Sequence, residues 1–553
     1  MNRQRVVSFS LLSHEECKLS AEAGKEANLK HSLAALSMLL AGLAIILIPS
    51  RSETAFAATA LAPGSAQERP AAPVYVFLWF DTEDYILPQS DDAAKRLADF
   101  LSQQGIRATF KVVGEKGRIL EHRGRKDVIA ALARHEIGYH TNTHSQHPSV
   151  AEYEELLDWE NGIEEFTRRE YPGFNDLRRI FGQTPTCYGQ AGGSWAPQSH
   201  AALKRWGVKV YLDEAPQIGL DGKPFWYGGI LNIFNTTYGF KLRPNDDWSN
   251  LDEVKAFFQK AYSEAAAQPG GGIISIHFHP CEFIHQEFWD AVNFAHGADP
   301  PPSEWRQPPM KSHEASEKAF QFFEDFVRYM KSFHIRFATA SEGPKLYPDL
   351  AQNRVFSIQE LSEIARQVTP DVSFQVHGDY MLSASEVLVL LNQYVARAIR
   401  DEPAVPLQLD GTPYGPSQAS PNLGTQIEMP WYNFSRAVLD VSDALAKSAQ
   451  VPGPVWVGST PVPPESFTVA LAHVATTLLE NGKPPTRVTI GPARLGAARY
   501  VAQDSPQLWG WLIYHPGFDA AHVLDLARLQ AWTLKPAIIR SASWSATSAG
   551  NQN

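Results

Sequence analysis

GIRATFKVVGEKGRIL (105–120) and LARHEIGYHTNTHSQHPS (132–149) carry the reading that decides the fold. Ala108 to Val113 (ATFKVV) is short, apolar and rich in β-branched and aromatic residues, which reads as a strand. Lys126 to Arg134 has helical periodicity, and Glu136 to Tyr139 is a third short strand. Upstream, Val74 to Phe80 (VYVFLWF) reads as a fully buried strand ended by acidic residues. The helical stretch AAKRLADFLSQQG follows it, closed by Gly105 as a C-terminal cap. Downstream, Lys209 to Leu212, Ile230 to Phe234, Ile273 to Phe278 and Ile335 to Ala338 read as strands, and Ala315 to Phe333 as a long amphipathic helix. Strands alternating with helices predict an α/β fold with a parallel sheet or barrel. In such folds the chemistry lies at the C-terminal strand ends.

Four strand ends carry unusual residues. Asp81-Thr82-Glu83-Asp84 packs three carboxylates into four positions, which repel unless a cation lies among them or water solvates them. His140 and His144 are four apart, so on a helical turn both imidazoles would face one metal ion. A His-rich surface turn is the plainer alternative, since His135 and His147 flank them. His277 and His279 alternate onto one side of their strand, where one of them could serve as a general acid. Tyr211-Leu212-Asp213-Glu214 is an acidic end able to orient a histidine. Taken together, two histidines plus a carboxylate make a catalytic metal set with open positions.

Residues 74–346 resemble the polysaccharide deacetylase domain (carbohydrate esterase family 4). His140, Thr141 and His144 match its His-[Ser/Thr]-x-x-His motif, FDTEDY (80–85) resembles its first motif, and SIHFHPCEF (275–283) resembles its closing one. The resemblance implies a distorted (β/α)7 barrel and a divalent ion, zinc first, with cobalt or nickel as substitutes. It implies Asp81 as general base and His279 as general acid, with Asp213 as the acidic partner of that histidine. It implies Glu83, His140 and His144 as metal ligands, with Asp84 as the alternative carboxylate. An oxyanion would be held by the metal and a backbone amide near Tyr188 to Gln190, and Tyr188, Gln190 and Trp195 are candidate substrate contacts. The family's third motif supplies an Arg beside the base. Here Ser194-Trp195-Ala196-Pro197 aligns so that Gly189 stands at that position, and the Arg is absent.

The remaining chain sets the context. With 553 residues, two or three domains are expected, and a net charge of −11 argues against a nucleic-acid partner. The three cysteines, Cys17, Cys187 and Cys281, form no disulfide framework; Cys187 and Cys281 are the one pair that could bridge the barrel mouth. Residues 1–57 read as a signal peptide or N-terminal anchor. Ser32 to Ile48 is an apolar run and Ala55-Phe56-Ala57 has the form of a cleavage site. Both readings place the protein outside the cytoplasm, in the periplasm, the cell envelope or the medium. Residues 58–73 read as a linker, 74–346 as the catalytic domain, 350–540 as an accessory domain and 541–553 as a disordered tail. The accessory region carries a candidate duplication of about 80 residues, with stretch 358–391 recurring at 434–471. It resembles pseudomurein-binding repeats, which implies cell-wall attachment.

The expected function is removal of acetyl groups from an extracellular or cell-envelope glycan. Two alternatives stay open: a same-fold hydrolase of another amide or ester, and a glycan-binding envelope protein without catalysis.

Overall fold

Nine consecutive buried residues, Val74–Thr82 (β1), put the first strand at the middle of a sheet covered on both faces. The structure is a computed structural model, and it describes residues 72–234, 236 and 241–540. The proposed signal segment, most of the linker and the C-terminal tail lie outside the described residues. β1 pairs in parallel with Thr109–Val112 (β2), which pairs with Glu136–Tyr139 (β3). Cys187–Tyr188 (β4), Val210–Leu212 (β5) and Ile230–Ile233 (β7) continue the sheet in parallel; β6, Phe225–Tyr227, is an antiparallel hairpin partner of β7. On its other side β1 pairs in parallel with Gly272–Phe278 (β8). Ile335–Ala338 (β9) pairs only with the first half of β1, below β2.

The parallel path β7-β5-β4-β3-β2-β1-β8 is thus seven strands long. Just beyond β7, the Thr236 amide donates to the Ser275 carbonyl at 2.8 Å, and the Ser275 amide donates to Thr236 Oγ1 at 3.0 Å. These bonds draw the two ends of the path together into a distorted (β/α)7 barrel. Helices such as Gln89–Gln103, Trp159–Phe181 and His313–Met330 cover it with their buried apolar faces.

The barrel does not end at residue 346, which corrects the expected boundary. After an excursion of about 150 residues the chain returns. Val501, Trp509, Tyr514, Val523, Leu524 and Leu534 join the barrel's own hydrophobic core. Lys535–Pro536 (β10) adds an antiparallel strand to β6. This returning strand is only two residues long, too short for periodicity to signal it in the sequence.

The excursion has its own core and a repeated element order. In the first copy Phe356 bridges Leu407, enclosing helix Ile358–Gln367, hairpin Gln375–His377/Tyr380–Leu382 and helix Ala384–Ile399. In the second, Ile427–Pro430 pairs with Arg487–Ile490. Between them lie helix Trp431–Ser448, hairpin Val455–Val457/Thr460–Val462 and helix Pro464–Asn481. Gly378 (φ 51°) and Gly458 (φ 63°) sit at matching hairpin turns, where positive φ favours glycine.

One buried group sets a pH dependence. Glu154 is fully buried and neither carboxyl oxygen has a partner among the described residues. Burial pushes its pKa up to about 9, with Glu165 and Glu170 adding repulsion. The unfolded chain releases this proton from about pH 4.5, whereas the folded chain keeps it to about 9. Glu154 therefore erodes stability as pH rises through that window. Glu154→Gln mimics the neutral acid, so its unfolding free energy should exceed the parent's at pH 8 by on the order of a few kcal/mol, read as a higher melting temperature, and match it near pH 4.5. Equal differences at both values would refute this account.

Candidate active site

The C-terminal ends of β1, β3, β5 and β8 open into a cleft of about 280 Å3, lined by Asp81, Glu83, His140, His144, Asp213, His277 and His279, among others. The chain directly after β3 does not form a helical turn, contrary to the spacing argument. Thr141 (φ 63°) and His144 (φ 56°) adopt left-handed backbone, and the His144 amide donates to Thr141 Oγ1 at 3.2 Å. Non-glycine residues in that region store strain, and such strain concentrates at functional sites. The tight loop still converges both imidazoles.

His140 Nδ1–H donates to the Gly189 carbonyl at 3.0 Å, which fixes the tautomer and leaves Nε2 bare, 3.2 Å from Glu83 Oε2. His144 Nε2 lies 3.0 Å from the same oxygen; it is buried and makes no hydrogen bond of good geometry. Trp289 Nε1–H donates to the other Glu83 oxygen at 2.9 Å and orients the carboxylate. Burial holds the His140 imidazole below its ordinary range, toward the neutral form that ligates metals. Burial would raise the Glu83 carboxyl, but His144, His279 and His140 together hold it well below the usual range. An ionised carboxylate and two imidazoles, all buried and within 4.8 Å of one another, fit a divalent cation.

Asp81 stands beside this set, with Oδ1 3.6 Å from His140 Nδ1. Its cation comes from an unexpected place. Lys111, its register neighbour on β2, is fully buried and puts Nζ 2.9 Å from Asp81 Oδ1 and 2.5 Å from Asp213 Oδ2. The ammonium also lies 4.2 Å from the centre of the Trp79 ring. Burial opposes its charge, yet Asp213 and Asp81 outweigh this and raise the Lys111 pKa. Burial pushes Asp213 up to about 8, against the pull of Lys111.

Gly189 now has a reason. A Cβ there would sit 2.0 Å from Lys111 Nζ and 2.2 Å from Asp213 Oδ2. The lysine occupies the volume that a side chain at this position would need.

His279 Nε2 lies 3.8 Å from Asp81 Oδ2, and its amide donates to Glu282 Oε1 at 3.0 Å. Burial disfavours its charge, but Glu83, Glu282 and Asp81 raise its pKa to about 9. Its neighbour His277 stacks on Trp79 at 4.8 Å and is held well below its ordinary pKa by burial. The barrel mouth thus holds a carboxylate, a charged imidazole and a prospective cation site on one cleft.

A family comparison meets the same region. Residues 68–211 match the polysaccharide deacetylase family. That stretch is about a quarter of the chain and contains β1 to β5. A comparison with the curated proteins finds no match. Among solved structures, a candidate polysaccharide deacetylase from Mycobacterium smegmatis aligns at 14% identity, covering 52% of this chain and 93% of its own, with a TM-score of 0.33. An allantoinase aligns at 13% identity, covering 50% and 92%, with a TM-score of 0.32. A carbohydrate esterase family 4 pseudoenzyme from Bacillus anthracis aligns at 12% identity, covering 48% and 64%, with a TM-score of 0.26.

Several expected roles change within this barrel. Asp213 does not serve His279, because Lys111 and the Glu214 amide take its oxygens; Glu282 and Asp81 face the histidine instead. Asp84 is not in the cluster. It bonds His285 at 2.9 Å and accepts the Ile86 and Leu87 amides. Tyr188 and Trp195 are fully buried in the core and offer no substrate surface. Gln190 lines the cleft, but Tyr211 Oη–H donates to its Oε1 and its Nε2 donates to the Glu214 carbonyl. The Gly189 amide is spent on the Tyr139 carbonyl, so it cannot hold an oxyanion. Cys187 and Cys281 are both free and buried. Lys111, Asp290 and Trp511 belong to none of the sequence motifs. Only Lys111 left a local signal, a charge inside a buried strand that must find a partner.

Proposed function

We propose that this barrel is a metal-dependent hydrolase that removes acetyl groups from a glycan outside the cytoplasm. The observation that carries the reading is the convergence of Glu83, His140 and His144 beside Asp81 and His279 in one cleft. A divalent cation on the three ligands, with zinc the natural choice for this donor set, would polarise the acyl carbonyl. Asp81 is placed to take the proton of the attacking water. Lys111 holds that carboxylate in position and supplies the positive charge beside it. His279, beside Asp81 and Glu282, is positioned to protonate the departing amine or alcohol. His144 and Trp289 form the wall behind Glu83. Cell-wall attachment through the duplicated region is consistent with such a substrate.

The test is acetate release from a panel of acetylated glycans by the zinc- or cobalt-loaded protein, with His140→Ala as the pair. Release by the parent and a loss of at least about a hundredfold in the variant is the expected result. Stoichiometric bound metal without acetate would move the reading to another amide or ester.

A further inference from the structure

One wall of the cleft comes from the far end of the chain. Trp511 and Leu512 line it together with Asp290, in the first turn of the short helix Trp289–Phe294. Trp511 Nε1–H donates to Asp290 Oδ2 at 3.2 Å. The ring meets the His144 imidazole edge-on, with centroids 5.4 Å apart. It lies so close to Gly192 that a Cβ there would be 2.3 Å from the ring. The segment is fixed rather than hinged. The His296 and Gly297 amides donate to the Leu512 and Ile513 carbonyls at 2.9 and 2.7 Å, and Ile513 and Tyr514 are buried.

Asp290 is 2% exposed, and its Oδ1 has no partner among the described residues although the carboxyl borders the cleft. A buried acceptor is costly to leave unmade. Its natural complement is an O–H or N–H donor delivered by the occupant of the cleft. Beside it stand an indole and the apolar side chain of Leu512, which suit the carbon face of a saturated ring. Glu214 and the Asp290 carboxylate itself line the same cleft and disfavour an anionic ring.

We propose that Asp290 and Trp511 form a specificity subsite that holds a hydroxyl or amide N–H of a neutral sugar ring beside the reacting acyl group. The C-terminal return of the chain then takes part in choosing the substrate. This rests on the hydrolase reading for the identity of the reacting group, but not for binding.

Binding of tetra-N-acetyl-chitotetraose to the full chain, measured by calorimetry alongside acetate release, tests it. Trp511→Ala and the isosteric Asp290→Asn should each raise Kd and KM about tenfold, with kcat changed far less and metal content retained. Trp511→Phe, which keeps a ring and loses the bond to Asp290, should fall between. An acetylated polyuronate should bind the parent more weakly, and Asp290→Asn should narrow that gap, an effect a purely structural role would not produce. If the parent binds the tetrasaccharide without releasing acetate and both variants lose binding, the hydrolase reading fails and the subsite stands. Unchanged Kd in both variants, or no binding by the parent, overturns the proposal. So does binding that is lost instead in a Tyr432→Ala/Trp456→Ala variant, which removes two exposed aromatics of the duplicated region.

Discussion

Lys111→Met should lower kcat/KM for acetate release at pH 7 by roughly a hundredfold to a thousandfold, and the rate should recover as pH rises. The variant leaves two buried carboxylates, Asp81 and Asp213, facing each other without the ammonium that now touches both. Asp213 is already pushed up to about 8, and without the ammonium burial and the neighbouring carboxyl drive Asp81 too toward its protonated form, in which it is no base. The acidic limb of the pH–rate profile therefore moves to higher pH, which separates a charge effect from simple loss of fold. Stability should fall as well, by about 3–5 kcal/mol, the usual cost of removing one partner from a buried ion pair. Gly189→Ala probes the same volume from the other side, since its Cβ would displace the ammonium. Rescue of the Lys111→Met rate by Gly189→Arg would identify the requirement as a cation near Asp81 from either strand. A Lys111→Met enzyme with parental rate at pH 7 would end this account.

The position of that cation marks the limit of what the sequence could be made to tell. The carboxylates of 81–84, the histidine pair and the His-Pro end of β8 are each contiguous at a strand terminus, so local patterning placed them. The alternation of short apolar runs with helices was equally local, and it sufficed for the parallel barrel. Lys111 was different: its role depends on the register of β1 against β2, which sets it directly beside Asp81. A charged residue in ATFKVV announces that it needs a partner but not which one. Tyr188 and Trp195 looked like substrate contacts because of their neighbours in sequence, yet local chain direction turned both into the core. Trp511 had no local signal at all. It reaches His144 across more than 350 residues because the chain returns to the barrel after the duplicated region. Contacts of that span are set by tertiary packing, which periodicity does not encode.

Glu83→Gln and Asp84→Asn should part company, although the two residues are adjacent and both are buried. Glu83 turns Oε2 toward His140 and His144 while Trp289 fixes its other oxygen. Glutamine keeps the shape and removes the charge, so affinity for zinc or cobalt should fall at least about a hundredfold, with little loss of melting temperature. Asp84 faces the other way. Its Oδ1 accepts the Ile86 and Leu87 amides and its Oδ2 meets His285. Asparagine at that place should leave metal binding near the parent's and destabilise the fold by about 1–3 kcal/mol, because a buried amide cannot satisfy the amides and the imidazole as the carboxylate does. Bound metal by elemental analysis and melting curves on the same samples check both halves. Loss of metal in Asp84→Asn with metal retained in Glu83→Gln would exchange the two roles and move the ligand set one residue along β1's end. Metal retained in both would mean that the histidines hold a cation without either carboxylate. That would also detach the site from the three-ligand arrangement on which the hydrolase reading depends. The adjacent carboxylates are distinguished by direction alone, because the chain bends after Thr82 and sends one into the cleft and the other under the following turn.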